Sequence, residues 1–343
     1  MSVLNVALIG SDEFARSLGK KGDSRDIDSY VHKESKDGGV RVLSLLRPLK
    51  HPESIRPLLS VLDVAKAGLL EIGVLDAPVG EAMVALGCSG ISTGRAVIAP
   101  RDGEWIDPGQ VRVMLDQAGL SEWDIMEGDI DEHEIREWLF GVQDELSKTA
   151  PDASSSSLIL PVDQHFNVKG IGLVAIGYVQ SGRVKVHDEV LLLPADGTGN
   201  AKSLQVMDDD VEVASAGDRV GLALRNAKED HLTGSTIIVH PPVEDKRANV
   251  SIPLAVEQHT RSTVTLRTSP FQKRVLAPGD VVHASVDLQF VVGRVASVDA
   301  DRLVVDWDQP LFIRKEQPPS VLIAQLDSKP RIMGSAVMTA SNA

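Results

Sequence analysis

Apolar and polar positions change rhythm near the middle of the chain. In the first half, compact apolar runs alternate with helical spacings. Leu4 to Ile9 reads as a first buried strand, Val40 to Leu46 alternates with polar Arg41 and Ser44, and Leu69 to Leu75 and Ala96 to Ala99 continue the series. Between these runs Pro52 opens a helix with Ile55, Leu58, Leu59 and Leu62 on one face, and Gly80 to Leu86 lies in a second. Asp107-Pro108-Gly109-Gln110 has the spacing of a capping box, as does Asp131 with Glu134, which leads into Ile135, Trp138, Leu139 and Val142. Such alternation predicts an α/β layered domain with a mostly parallel sheet.

Thr149 to Ser157 is polar and poor in apolar residues, as a linker is. From Leu158 onward, short Val-, Ile- and Leu-rich segments recur between Gly, Asp and Pro, and no amphipathic helix stands out. Many short strands with their edges removed means closed barrels, and Pro241-Pro242 divides this half into two of similar length. Thr339 to Ala343 is small and polar and is expected to fray.

Charge refines the picture. The 343 residues carry 35 Lys and Arg against 49 Asp and Glu, a net charge of −14, which argues against nucleic-acid binding over the whole surface and against DNA as a partner. From Glu244 to Ala343, however, 12 basic residues face 11 acidic ones, so RNA contact is most plausible through this part. No apolar run approaches a membrane span, and Met1 to Ile9 lacks the cationic start of a signal peptide, so a cytoplasmic protein with no membrane partner is expected. The lone Cys88, in an apolar run, reads as a buried thiol. His133-Glu134 lacks the second His of a zinc-protease motif, and Cys88-Ser89-Gly90 is no nucleophile elbow, so neither catalytic residues nor metal ligands are nominated.

The most specific signal runs from Phe166 to Val190. Gly170 and Gly172 permit a sharply bent strand, Ser181-Gly182 makes a hairpin turn, and alternating Val positions fill a barrel. Lys202-Ser203-Leu204-Gln205 and Ala216-Gly217-Asp218-Arg219-Val220-Gly221 follow in order. Together these segments resemble the second domain of elongation factors of the elongation factor Tu family, including the selenocysteine-specific members. Leu173 stands where the family has Thr, and His187 where it has Gly. Ser269-Pro270-Phe271 and Pro278-Gly279-Asp280 resemble the third domain less specifically. The resemblance implies an α/β P-loop-GTPase-like N-terminal domain over residues 1–148 and two all-β barrels over 157–243 and 244–335.

The chemistry of that first domain does not follow. A phosphate loop reads Gly-x-x-x-x-Gly-Lys-Ser/Thr, because its amides wrap phosphates, its Lys neutralises them and its hydroxyl holds magnesium. Here Gly10 to Ser17 has Ala15 for the second Gly and Arg16 for the Lys, with Asp12 and Glu13 adding negative charge. The family's Asp-x-x-Gly-His aligns with Arg47 to His51, and its Asn-Lys-x-Asp with Ala99 to Asp102. Gly10, Arg16, Ser17 and Asp102 are thus a vestigial nucleotide site, and no cofactor is expected. The alternatives are a working GTPase that uses GTP and magnesium through an unorthodox loop, and a scaffold with a protein partner on the old nucleotide face. Lys20-Lys21-Gly22 reads as a basic turn.

By resemblance, the partner is aminoacyl-tRNA or the ribosome. The candidate RNA contacts are Gly177, Arg219 and Gly221 on the first barrel and Arg261, Arg267, Lys273 and Arg274 on the second. Arg219, in a glycine-flanked loop, is expected to face solvent, where it can pair with phosphate or stack on a base.

Overall fold

A computed structural model describes residues 2–36, 38–100, 104–128, 130–149, 152–153, 155–245 and 250–341. The α/β domain runs β1 (Ser2–Ile9), α1 (Asp12–Leu18), β2 (Lys20–Ser24), β3 (Ile27–Lys36), β4 (Gly39–Pro48), α2 (Arg56–Val64), β5 (Ala67–Ile72), α3 (Ala77–Ser89), β6 (Gly94–Ile98), α4 (Pro108–Ala118), β7 (Asp124–Met126) and α5 (Glu132–Thr149). Its sheet has the order β2-β3-β4-β1-β5-β6-β7. The strands from β4 to β7 pair in parallel, while β2, β3 and β4 form an antiparallel meander, so the sheet is mixed.

The expected helices form, with two refinements. α2 starts at Arg56, with Pro57 in its first turn, because residues 51–53 make a turn before it. Asp131 accepts from the amides of both His133 and Glu134, as a cap should. Lys20 to Ser24 is an edge strand and not a basic turn: Lys20 pairs with Val31 and Lys21 with Tyr30. Trp123 is fully buried, and Gly68 and Gly94 make room for it, since a Cβ there would come within 2.3 and 2.2 Å of its ring.

The first barrel contains β8 (Leu160–Val168), β9 (Gly172–Tyr178), β10 (Arg183–Lys185), β11 (Glu189–Leu193), β12 (Gly197–Val206), β13 (Asp209–Val211), β14 (Val213–Ser215), β15 (Arg219–Arg225) and β16 (Ile237–Val239). Pairing of β11 with β12 closes the ring β11-β16-β8-β9-β15-β12 around Leu160, Ala175, Val190, Leu204 and Leu222. His187, at the family's Gly position, has φ 76°, a left-handed conformation that costs a side-chain-bearing residue ~1 kcal/mol or more.

A short hairpin, β17 (Val243–Asp245) and β18 (Val250–Ile252), precedes the second barrel. That barrel has the order β19-β22-β21-β20-β23-β24, from β19 (Val256–Thr268), β20 (Val281–Val286), β21 (Gln289–Asp299), β22 (Arg302–Arg314), β23 (Val321–Ala324) and β24 (Ile332–Ala340). Of the tail expected to fray, Thr339 and Ala340 belong to β24 and the Ser341 amide donates to Arg261 O at 3.0 Å, while residues 342–343 lie outside the described residues. Met1–Ala150, Leu266–Val275 and Ser320–Ala336 make up one compact unit, and the rest of the chain makes up another.

Candidate functional site

Where β1 ends, the chain passes through only Gly10 and Ser11 before α1 begins at Asp12. Positions 12 to 17 of the degenerate phosphate-loop motif are therefore already helical, and there is no open loop of amides to wrap a phosphate. The helix entrance is satisfied from within. Ser11 Oγ accepts from the Phe14 amide at 3.0 Å, and the Ser11 amide donates to the Glu71 carboxylate. Glu71 lies so close that a Cβ on Gly10 would come within 2.9 Å of its Oε2.

Strand register assembles the rest. On the antiparallel pair β3 and β4, Asp28 lies directly opposite Arg47, and on β2 and β3, Lys21 lies opposite Tyr30. Arg47 donates through Nε to Gly10 O at 2.8 Å and faces Asp28 Oδ2 at 3.2 Å. Lys21 Nζ reaches Asp28 Oδ2 at 2.8 Å and Asp12 Oδ1 at 3.1 Å. The Tyr30 hydroxyl donates to Asp12, and Ser24 to Asp28.

The electrostatics follow from these contacts. Asp28 is 2% exposed; burial opposes its ionisation, but Lys21 and Ser24 outweigh burial and hold its carboxyl below the usual range. Asp12 is held low by Tyr30, Arg16 and Lys21. Burial, then the Asp12 hydrogen bond and the Asp28 charge, push the Tyr30 phenol up to about 12.

The described residues of the expected vestigial nucleotide site are engaged within the protein. Arg16 pairs with Asp12 one turn back on its own helix. The Ser17 hydroxyl donates to Phe14 O at 2.9 Å, within α1. Asp102, with Arg101, lies outside the described residues. The described residues at the end of β1 do not fit a nucleoside triphosphate with magnesium, because its phosphates would meet Glu71, Asp12 and Asp28. Sequence reasoning named Arg47 and Lys21 but missed Asp28, Tyr30 and Glu71. The alternation of Asp28 and Tyr30 on β3 was the signal that could have found the first two.

On the far side of α3, a cavity of about 690 Å³ is lined by Met83, Val84, Met114, Phe271 and Leu326, and no residue from Gly10 to Ser17 reaches it. Glu81 and Arg331 stand on its wall. Burial opposes ionisation of Glu81, yet Arg331 and His51 hold its carboxyl at about 2. Cys88, on the same helix, is half-buried, and burial pushes its thiol up to about 11.

On the first barrel, Arg219 is not the solvent-facing residue expected. Its guanidinium lies 3.3 Å from Asp163 and 5.8 Å from the Tyr178 ring, and only 22% of the side chain is exposed. β15 pairs along its length with β9, which sets Arg219 opposite Tyr178. Arg219→Ala is therefore expected to cost ~1 kcal/mol in urea unfolding, through lost packing on Tyr178 and the loss of the cation beside Asp163. A change below about 0.3 kcal/mol would return it to the surface class. Gly177 has a packing reason, since a Cβ there would come within 2.2 Å of Pro161 O, whereas at Gly221 the nearest atoms are 3.9 Å away.

Arg261 lies opposite Asp306 on the second barrel and pairs with it at 3.4 Å. Arg267, at the end of β19, and Lys273 and Arg274, in the following loop, are exposed.

Residues 172–238 match elongation factor Tu domain 2. An uncharacterised protein of Methanocaldococcus jannaschii is 29% identical over 304 residues, covering 88% of this chain and 89% of its own length. The selenocysteine-specific elongation factor of the same organism is 29% identical over 161 residues, covering 47% of this chain; the match spans only 32% of that factor. The crystal structure of translation elongation factor SelB from Methanococcus maripaludis, in complex with the GTP analogue GppNHp, superposes with a TM-score of 0.73 at 19% identity. That superposition covers 99% of this chain and 80% of the other, and at such identity it speaks for the fold. With an α/β domain followed by two six-stranded barrels, the chain has the fold of the selenocysteine-specific elongation factor SelB, and its first barrel is similar to domain 2 of elongation factor Tu.

Proposed function

We propose that the chain is a translation-related RNA-binding protein whose α/β domain works without GTP. One observation carries this reading: the entrance to α1 is shortened to two residues and closed by Glu71, with Asp28, Lys21 and Arg47 paired among themselves beside it. A triphosphate would have to displace carboxylates from partners that already satisfy them, and no amide cradle would offset that desolvation. The first barrel, by contrast, retains the family's pattern, which supports aminoacyl-tRNA or the ribosome as the partner.

The test is a titration of the full chain with GTP and GDP in the presence of magnesium, and separately with tRNA and ribosomes at several salt concentrations. No saturable nucleotide binding in the micromolar range is expected. RNA binding is expected to weaken with salt, because basic groups displace counterions, and to weaken further when Lys273 and Arg274 are both changed to Glu. Micromolar or tighter nucleotide binding would sink the GTP-free reading. Undiminished RNA binding by the double variant would move the interface off this loop, and no RNA binding even at low salt would remove the RNA partner.

A further inference from the structure

The end of β4 and the segment after it are tied at several positions by backbone and side-chain groups of the protein itself. Arg47 is held by Gly10 O and Asp28. The Leu49 amide donates to Asp26 O at 2.9 Å, and Lys50 Nζ donates to Asp26 Oδ1 at 2.9 Å. Lys50 has φ 61°, a left-handed conformation that persists only where the surroundings enforce it. His51 Nε2 lies 3.2 Å from Glu81 Oε2. Arg331 closes on the same carboxylate with a fork: Nε donates to Oε1 at 2.9 Å, a terminal nitrogen donates to Oε2, and the Arg331 amide lies 3.4 Å from Oε1. The side chains of His51, Glu81 and Arg331 are 8%, 12% and 16% exposed. All of these groups belong to one compact unit.

We infer that residues 47–54 form a ligand-free latch with Glu81 as its keystone, held in one conformation whether or not nucleotide is present. A carboxylate as enclosed as that of Glu81 stays ionised only while its partners stay in place, and the Arg331 fork matches its two oxygens at once. The ring of His51 adds a further contact and thereby ties the segment to α3. Turn formation beyond it follows, with the Ser54 amide donating to Lys50 O at 2.7 Å. The latch deepens the GTP-free reading of the α/β domain and does not depend on RNA binding.

Hydrogen exchange on the full chain, with and without magnesium and GTP or GDP, tests it. The amides of Leu49 and Ser54 are expected to exchange slowly, at rates that nucleotide leaves unchanged. Glu81→Gln is expected to speed both by about tenfold while amides in β1 and β4 keep their protection. Arg331→Lys, which keeps the charge but drops the fork, carries the same test in a milder form. Rates at Leu49 and Ser54 that neither substitution alters would overturn the latch. So would fast exchange in the parent that nucleotide does not change, an outcome that leaves the GTP-free reading standing. Slowing by nucleotide would overturn both together.

Discussion

Asp28→Asn is expected to destabilise the α/β domain by about 3 kcal/mol at neutral pH, the scale on which removing one member of a buried ion pair usually acts. Asp28 is the acceptor common to Lys21, Arg47 and Ser24, and it is 2% exposed. An amide at that position keeps the volume but leaves two cations facing a neutral group. The pH dependence has a definite sign. The folded carboxyl titrates below its unfolded value, so its contribution is fully present above the unfolded range, near pH 4, and is lost as pH falls through the lower folded value. Parent and variant should therefore differ most at about pH 6 to 7, in urea unfolding followed by a probe of this domain, and should converge in acid. Equal midpoints at neutral pH would show that the cluster is ornamental to stability.

Gly177→Ala is expected to cost the first barrel ~3 kcal/mol or more, because its Cβ would come within 2.2 Å of the Pro161 carbonyl oxygen and 2.8 Å of the Leu160 side chain. β8 and β9 are directly paired there, so neither backbone can give way without breaking the register Val162 to Gly177. Gly221→Ala, with nothing closer than 3.9 Å, provides the contrast and should stay within about 1 kcal/mol of the parent. Differential unfolding of the two variants is the measurement. It also bears on RNA binding: weakened binding by Gly177→Ala reports a damaged barrel, whereas weakened binding by Gly221→Ala reports a lost approach of the backbone to its ligand.

The barrels were legible from sequence because their signals are local. Turn glycines, two-residue alternation and the missing helical spacing each act over a few residues, and the ring from β8 to β16 follows from them. The departure of Gly10 to Ser17 from the phosphate-loop motif was legible too, since Ala15 and Arg16 can be read directly. What replaced it was not. Ser11 meets Glu71 across 60 residues and Arg331 meets Glu81 across 250, and no periodicity encodes such pairs. The antiparallel edge of this mostly parallel sheet escaped for a related reason. Lys20 to Ser24 is short, charged and mostly exposed, so it has the composition of a turn and becomes a strand only by pairing at the sheet edge with β3. Arg219 shows the opposite error: glycine neighbours suggested a loop, but register with β9 placed it opposite Tyr178 and within reach of Asp163.

The two-residue passage from β1 to α1 also limits what point substitutions can do to the α/β domain. Restoring Lys at Arg16 and Gly at Ala15 would return the letters of a phosphate-binding motif, yet both positions lie inside a formed helix whose first turn is already capped by Ser11. Residues would have to be inserted ahead of Asp12, and Glu71 would have to withdraw from the Ser11 amide in the same lineage. Removing the acidic groups first strands Arg47 and Lys21; inserting the loop first sets Glu71 and Asp12 against the incoming phosphates. Either order leaves charged groups without partners on the way, so the closed network resists piecemeal change at this end of the α/β domain.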